Sequence, residues 1–195
     1  MGQNITLIQG HPDPAGQHFG HALAEAYAQG ARDAGHDVQI ITVAQLDFPL
    51  LRSQQDWTDG NVPESLRSAQ DSIGKAQHLV FFYPLWLGTM PALLKAFLEQ
   101  VLRPGFAIEP PAEGKYGKKL LTGKSARIVI TMGMPVLVYR WYFRAHSLKN
   151  LERNILRFCG IRPIRESLFG MIEAVNDEKR SKWLEQMREL GRQGR

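Results

Sequence analysis

The sequence is poor in cysteine: Cys159 is the one thiol in 195 residues. An internal disulfide framework and a cysteine-rich metal centre are both excluded by that count. Long apolar runs are also missing. No stretch reaches the roughly 18 to 20 residues that a bilayer-spanning helix requires. The opening Met1-Gly2-Gln3-Asn4-Ile5-Thr6 lacks the basic segment and apolar run of a secretory leader. The Asn4-Ile5-Thr6 sequon then reads as an accidental match, and a reducing, cytoplasmic setting is expected. No Gly-x-Gly-x-x-Gly fingerprint occurs, which argues against a dinucleotide fold of the Rossmann type. The nearest approach to a P-loop runs from Gly117 to Gly123-Lys124-Ser125. It has one residue too many between its glycines and precedes a strand-like run instead of following one.

What is present is an ordinary globular composition, 44% hydrophobic and 22% charged, enough for one domain over residues 1–195. Lys and Arg number 24 against 19 Asp and Glu, a net charge of +5. That modest excess suits phosphate-bearing small molecules such as nicotinamide and flavin nucleotides, and it is slight for a nucleic-acid binder.

Short strand-like runs alternate with longer helical ones, the pattern of an α/β domain. Ile5 to Gln9 reads as a first strand ending at Gly10, and a helix follows from about Phe19 to Ala34, stopped by Gly35. Val38 to Val43 reads as a second strand, and Phe48 to Val62 as a long polar loop. A helix from Pro63 to Ala76 leads into Leu79-Val80-Phe81-Phe82-Tyr83, apolar at every position as a strand buried on both faces must be. Pro91 opens a helix with an apolar stripe through Leu93, Leu94, Phe97, Leu98, Val101 and Leu102. Arg103 to Ser125 reads as an extended loop or short hairpin, and Ala126 to Thr131 as a fourth strand. A helix over Ala145 to Phe158, a strand over Ile161 to Phe169 and a final helix capped by Asn176 complete the chain. Five such strands make a doubly wound sheet, either flavodoxin-like or half of a dinucleotide-binding fold.

Ligands of open parallel sheets bind beyond the carboxyl ends of the strands. Three connections there carry unusual residues. Gly10 to Phe19 joins the first strand to the first helix, so it exposes backbone N–H groups at a helix N-terminus, where phosphate is attracted. His11 and His18 can add donors or charge; the alternative is a plain Pro/Gly turn with surface histidines. A zinc site of His11, His18 and His21 lacks an evident carboxylate or thiolate partner, so no metal is expected. Tyr83-Pro84-Leu85-Trp86-Leu87-Gly88-Thr89-Met90-Pro91 forms a hydrophobic ledge between prolines, fit either to carry a flat ring system or to plug the core. Thr131-Met132-Gly133-Met134-Pro135 allows close backbone approach, with a simple turn as the alternative.

Together these segments resemble the NAD(P)H:quinone oxidoreductase branch of the flavodoxin-like superfamily, which includes the modulator of drug activity proteins and the ancillary flavoproteins of potassium efflux systems. The resemblance runs from the first strand to the last helix. It is carried by Gly10-His11-Pro12, by Pro84-Leu85-Trp86, and by Leu93-Leu94-Lys95-Ala96-Phe97 with the trailing Gly105-Phe106-Ala107. It implies an α/β, flavodoxin-like fold, a five-stranded parallel sheet of order 2-1-3-4-5 with helices on both faces. It also implies that His11, His18 and Phe19 bind flavin phosphates, that Pro84, Leu85, Trp86 and Leu87 contact the isoalloxazine ring, and that Thr131, Met132, Gly133 and Met134 line its pyrimidine side. The chain departs from the family where Ser-Phe-Asn is common, having His18-Phe19-Gly20, and where Thr-Gly-Gly is common, having Thr131-Met132-Gly133. Tyr139 and His146 are the nearest candidates for the Tyr and His that several members use to stabilise charge during hydride transfer.

The expected activity is two-electron transfer from NADH or NADPH, through FAD (with FMN the alternative), to a quinone-like acceptor. A one-electron carrier is the main rival, though such carriers tend to be acidic. A regulatory subunit of a membrane transporter is a second rival. The aromatic and basic run Val138 to Arg144 is expected to cover the active site or to form a homodimer contact.

Overall fold

In the computed structural model, which describes residues 2–58, 60–109 and 117–195, five strands form one sheet. They are β1 (Asn4–Gln9), β2 (Asp37–Thr42), β3 (His78–Pro84), β4 (Ser125–Met132) and β5 (Ile164–Gly170). Every pairing is parallel and the order is β2-β1-β3-β4-β5, as the resemblance implies. Among the described residues eight α-helices connect and follow them: α1 (Phe19–Asp33), α2 (Gln54–Thr58), α3 (Glu64–Lys75), α4 (Ala92–Val101), α5 (Val136–Trp141), α6 (His146–Lys149), α7 (Arg157–Cys159) and α8 (Asp177–Arg192). A π-helical stretch, Asn150–Leu156, joins α6 to α7.

Strand β3 is central, and its side chains alternate between faces with the period of two that a pleated strand imposes. Val80 and Phe82 point to one core, with Leu23 and Tyr27 of α1 and Met187 of α8. Leu79, Phe81 and Tyr83 point to the other, under α3, α4 and the helices after β4. Cys159 is buried in that second core, and burial pushes its thiol up to about 11, so it is an inert packing group.

Most expected elements fall within a few residues of their observed bounds. The Phe48 to Val62 loop holds the short helix α2. Strand β5 starts at Ile164, not Ile161, since Pro163 has no N–H to give to the ladder. The Arg103 to Ser125 connection forms isolated bridges at Pro104–Ile108 and Ile108–Lys119, while residues 110–116 lie outside the described set. Helix α5 was hidden within the aromatic and basic run.

Helices α1 and α8 cross at Gly30 and Gly191. A Cβ on Gly30 would sit 1.9 Å from the Arg188 carbonyl oxygen, and one on Gly191 would sit 2.1 Å from that of Tyr27. The two backbones touch because neither residue has a side chain. Gly30→Ala or Gly191→Ala is therefore expected to cost about 3 kcal/mol of stability in urea unfolding, as forced overpacking does. Gly20→Ala, whose nearest neighbour would be Thr131 Oγ1 at 3.8 Å, should leave the midpoint unchanged or raised.

Candidate functional site

Parallel pairing sends the carboxyl ends of β1, β3 and β4 to one edge of the sheet. The Gly10 N–H donates to the Phe82 carbonyl at 2.7 Å, and the Leu85 N–H donates to the Thr131 carbonyl at 2.8 Å. Both bonds extend the ladder beyond the strand ends, so the three turns begin side by side.

The turn after β1 is ordered by its own side chains. The His11 N–H donates to Gln9 Oε1 at 3.1 Å, and Gln9 Nε2 donates to the Gly20 carbonyl at 3.2 Å. The Asp13 N–H donates to His11 Nδ1 at 3.1 Å, which leaves the neutral imidazole's proton on Nε2. Asp13 accepts from the Ala15 N–H at 2.8 Å and from His18 Nε2 at 2.7 Å, and these two bonds hold its carboxyl below the usual range. The His11 and His18 rings stack at 3.9 Å, and His21, one turn into α1, lies 5.2 Å from His11. Burial, then the neighbouring His18 and His21, push His11 down to about 4; burial also lowers His21. Both ring nitrogens of His21 are shielded from solvent and lack a hydrogen-bond partner among the described residues.

The turn after β3 is a tight reversal. The Trp86 and Thr89 N–H groups each donate to the other's carbonyl at 2.9 Å, with Leu87 (φ 46°) and Gly88 (φ 78°) between them. Two successive positive φ angles make this a type I′ turn. Leucine is costly there, and such strain persists where the surroundings impose it. The side chain of Leu87 is fully exposed at the tip. The Trp86 ring meets the His11 ring edge-on at 5.8 Å, joining the first two turns.

At the end of β4, Thr131 is buried and lies against the start of α1 near Gly20. Gly133 is exposed, with open space where a side chain would be. The Met134 carbonyl accepts from the Met171 N–H at 3.2 Å, which ties this turn to the segment after β5.

A family model described as having the flavodoxin-like fold matches residues 3–190. The chain belongs to this flavodoxin-like family. An uncharacterized NAD(P)H oxidoreductase of Haemophilus influenzae is 31% identical over 186 residues, covering 93% of this chain and 91% of that protein. The ribosyldihydronicotinamide dehydrogenase (quinone) of Pongo abelii is 24% identical over 204 residues, covering 92% and 86%. A solved NAD(P)H:quinone oxidoreductase from Methanothermobacter marburgensis superposes with a TM-score of 0.81 at 22% identity, covering 98% of this chain and 96% of that one, a likeness of fold.

Against this flavodoxin-like frame the residues named from the sequence divide. His11, His18, Trp86 and Leu87 come together at the sheet edge, with Pro84 and Leu85 leading into their turn. Phe19 turns instead toward α8, where its ring lies 5.9 Å from Trp183 with the Arg180 guanidinium 5.5 Å away. Met132 points into the core and lines no open surface. Tyr139 is buried as well: its hydroxyl accepts from the Leu148 N–H at 3.0 Å, and burial pushes its phenol up. Beside it Tyr83 and Ser147 hydroxyls lie 3.2 Å apart. Tyr139 thus clamps the corner at Arg144 and Ala145, both with φ 50°. His146 stands exposed at the first residue of α6. His21, which the sequence offers only as a third imidazole for an incomplete zinc site, lies beside both rings, as its three-residue spacing from His18 at a helix start signals.

Tyr139→Phe leaves the Leu148 N–H without its acceptor inside the core. It is expected to lower stability by about 1–2 kcal/mol in urea unfolding, with flavin affinity unchanged within twofold.

Proposed function

We propose that this chain is a flavin-dependent NAD(P)H dehydrogenase that passes two electrons to a quinone or a similar aromatic acceptor. The observation that carries the reading is the meeting of an imidazole-rich phosphate turn with an aromatic ledge, His11 against Trp86 at 5.8 Å, at the carboxyl edge of a flavodoxin-like sheet. The relatives' names, an NAD(P)H oxidoreductase and a quinone dehydrogenase, point to the same chemistry.

The donor set fits a flavin. His21 has two shielded ring nitrogens without partners, Gly133 leaves room for close approach, and Trp86 with Leu87 offers an apolar surface beside them. When bound, a flavin takes a hydride from a nicotinamide and returns two electrons to an acceptor, chemistry that no amino-acid side chain supplies. The protein's part is to bind, orient and exclude water. His11, His18 and the N–H groups opening α1 hold the anionic tail. Pro84, Leu85, Trp86 and Leu87 back the ring, and the backbone from Thr131 to Met134 faces its polar edge. We assign FAD in preference to FMN, because the Gly10-His11-Pro12 form of the first loop resembles that of the family members that bind a diphosphate. With the Tyr139 phenol committed to the core, His146, exposed at the start of α6, is the remaining candidate for stabilising charge during hydride transfer.

The same reading includes a homodimer. Leu137, Trp141 and Tyr142 are 69%, 80% and 80% exposed on and just after α5, an apolar patch of the kind that marks an association surface.

The purified protein is expected to carry or take up one flavin per chain and then to oxidise NADH or NADPH when a benzoquinone is supplied. Trp86→Ala should weaken flavin binding by about 1–2 kcal/mol, roughly five- to thirtyfold in Kd by fluorescence quenching. Colourless protein that takes up neither FAD nor FMN overturns the assignment. In sedimentation velocity the wild type should run as a dimer and the Leu137→Glu/Trp141→Lys double variant as a monomer.

A further inference from the structure

The imidazoles of His11, His18 and His21 form a compact group whose arrangement suits an anion better than a cation. The His11 and His18 rings stack face to face at 3.9 Å with 18° between their planes, and His21 lies 5.2 Å and 5.9 Å from them. Stacked rings cannot turn their lone pairs onto one metal ion. They do place several N–H groups around one region, and protonated imidazoles so close together repel unless a negative charge joins them. His11 is 94% buried by its 6% exposure, with Nδ1 taken by the Asp13 N–H and the proton left on Nε2. The two shielded ring nitrogens of His21 have no hydrogen-bond partner among the described residues. Beside His18 and His21 opens a cleft of about 560 Å³, bounded by Gly16, Gln17, Ile40 and Thr42.

We propose that these three histidines act as one proton-coupled receptor for the phosphate tail of the cofactor, taking up about one proton as the anion seats. It rests on the flavin reading above and adds a consequence: cofactor affinity strengthens as pH falls.

The surroundings leave few other groups to balance the charge. The turn contributes Asp13, already bonded to the Ala15 N–H and to His18. From α1 comes Glu25, which pairs with Arg32 at 3.7 Å. From β2 come only Ile40 and Thr42, and from the turn after β3 comes the Trp86 ring. In the free protein, burial and repulsion from His18 hold His11 and His21 below the ordinary histidine range. A seated phosphate reverses the sign of that repulsion and draws a proton from solvent onto an imidazole nitrogen. The bound state then holds more protons than the free state, so linkage requires tighter binding at lower pH.

FAD is the informative ligand, because its diphosphate keeps a constant charge between pH 6 and 8, whereas the FMN monoester titrates near about 6. Flavin-free protein titrated with FAD at pH 6, 7 and 8, followed by fluorescence quenching, should show Kd falling about three- to tenfold per unit of pH lowered. Calorimetry in two buffers of different ionisation enthalpy should register uptake of about one proton. In His21→Gln, with folding checked by circular dichroism, the dependence should shrink to below about twofold per unit. FAD that binds equally well at all three pH values overturns the proposal and leaves the flavin reading standing. So does a slope that survives unchanged in both His21→Gln and His11→Gln. If FAD binds at no pH, the flavin reading falls instead. The receptor is then judged on the wild type by NMR titration of its imidazoles with and without sodium sulfate. A rise in the His21 titration midpoint supports it, and an unmoved midpoint overturns it.

Discussion

Hydrogen bonding between neighbouring parallel strands continues past the carboxyl ends of β1 and β3, from Gly10 to Phe82 and from Leu85 to Thr131. These two bonds set the starting points of three loops that are far apart in sequence. Each loop leaves its strand in the same direction because all pairings are parallel, and β1 and β3 are adjacent because the chain crosses over after β2. Imidazoles from the first loop, an indole from the second and open backbone from the third then share one surface. Disturbing the central pairing would scatter groups that have no other reason to meet.

That shared surface holds two kinds of unresolved local cost. One is conformational: Leu87 occupies a left-handed backbone position that glycine or asparagine fills more cheaply, and its side chain gains no burial in return. The other is electrostatic: three imidazoles crowd together, two of them held below the ordinary histidine range by burial and by neighbouring His18. A fold selected for stability alone has no use for either. On the proposed reading, a flat apolar ring with an anionic tail at this edge would relieve or use both.

Away from the edge, polar groups that look functional serve the frame. The Tyr139 hydroxyl satisfies a buried N–H at a corner where two successive residues, Arg144 and Ala145, take left-handed backbone angles. The Lys124 ammonium donates to the Gly74 and Ala76 carbonyls, both at 2.6 Å, and so closes the end of α3. Met132 and Cys159 fill the second core. Burial separates these residues from the site more decisively than residue type does.

The alternation of strands and helices, the all-apolar run of β3 and the three unusual turns were legible in the sequence, because strand and helix periods and glycine or proline punctuation are local properties. So was the grouping of His11 and His18 on one loop, which needs only a tight turn. The side chains' directions were not legible. Whether Tyr139 faced solvent or core depended on helix α5 and on the corner that follows it. Phe19 turned toward Trp183 because α8 packs along α1, an approach that Gly30 and Gly191 permit from 161 positions apart. The edge-on contact of His11 with Trp86, and the shielding of His21, depend on strand order, which non-local hydrogen bonding decides.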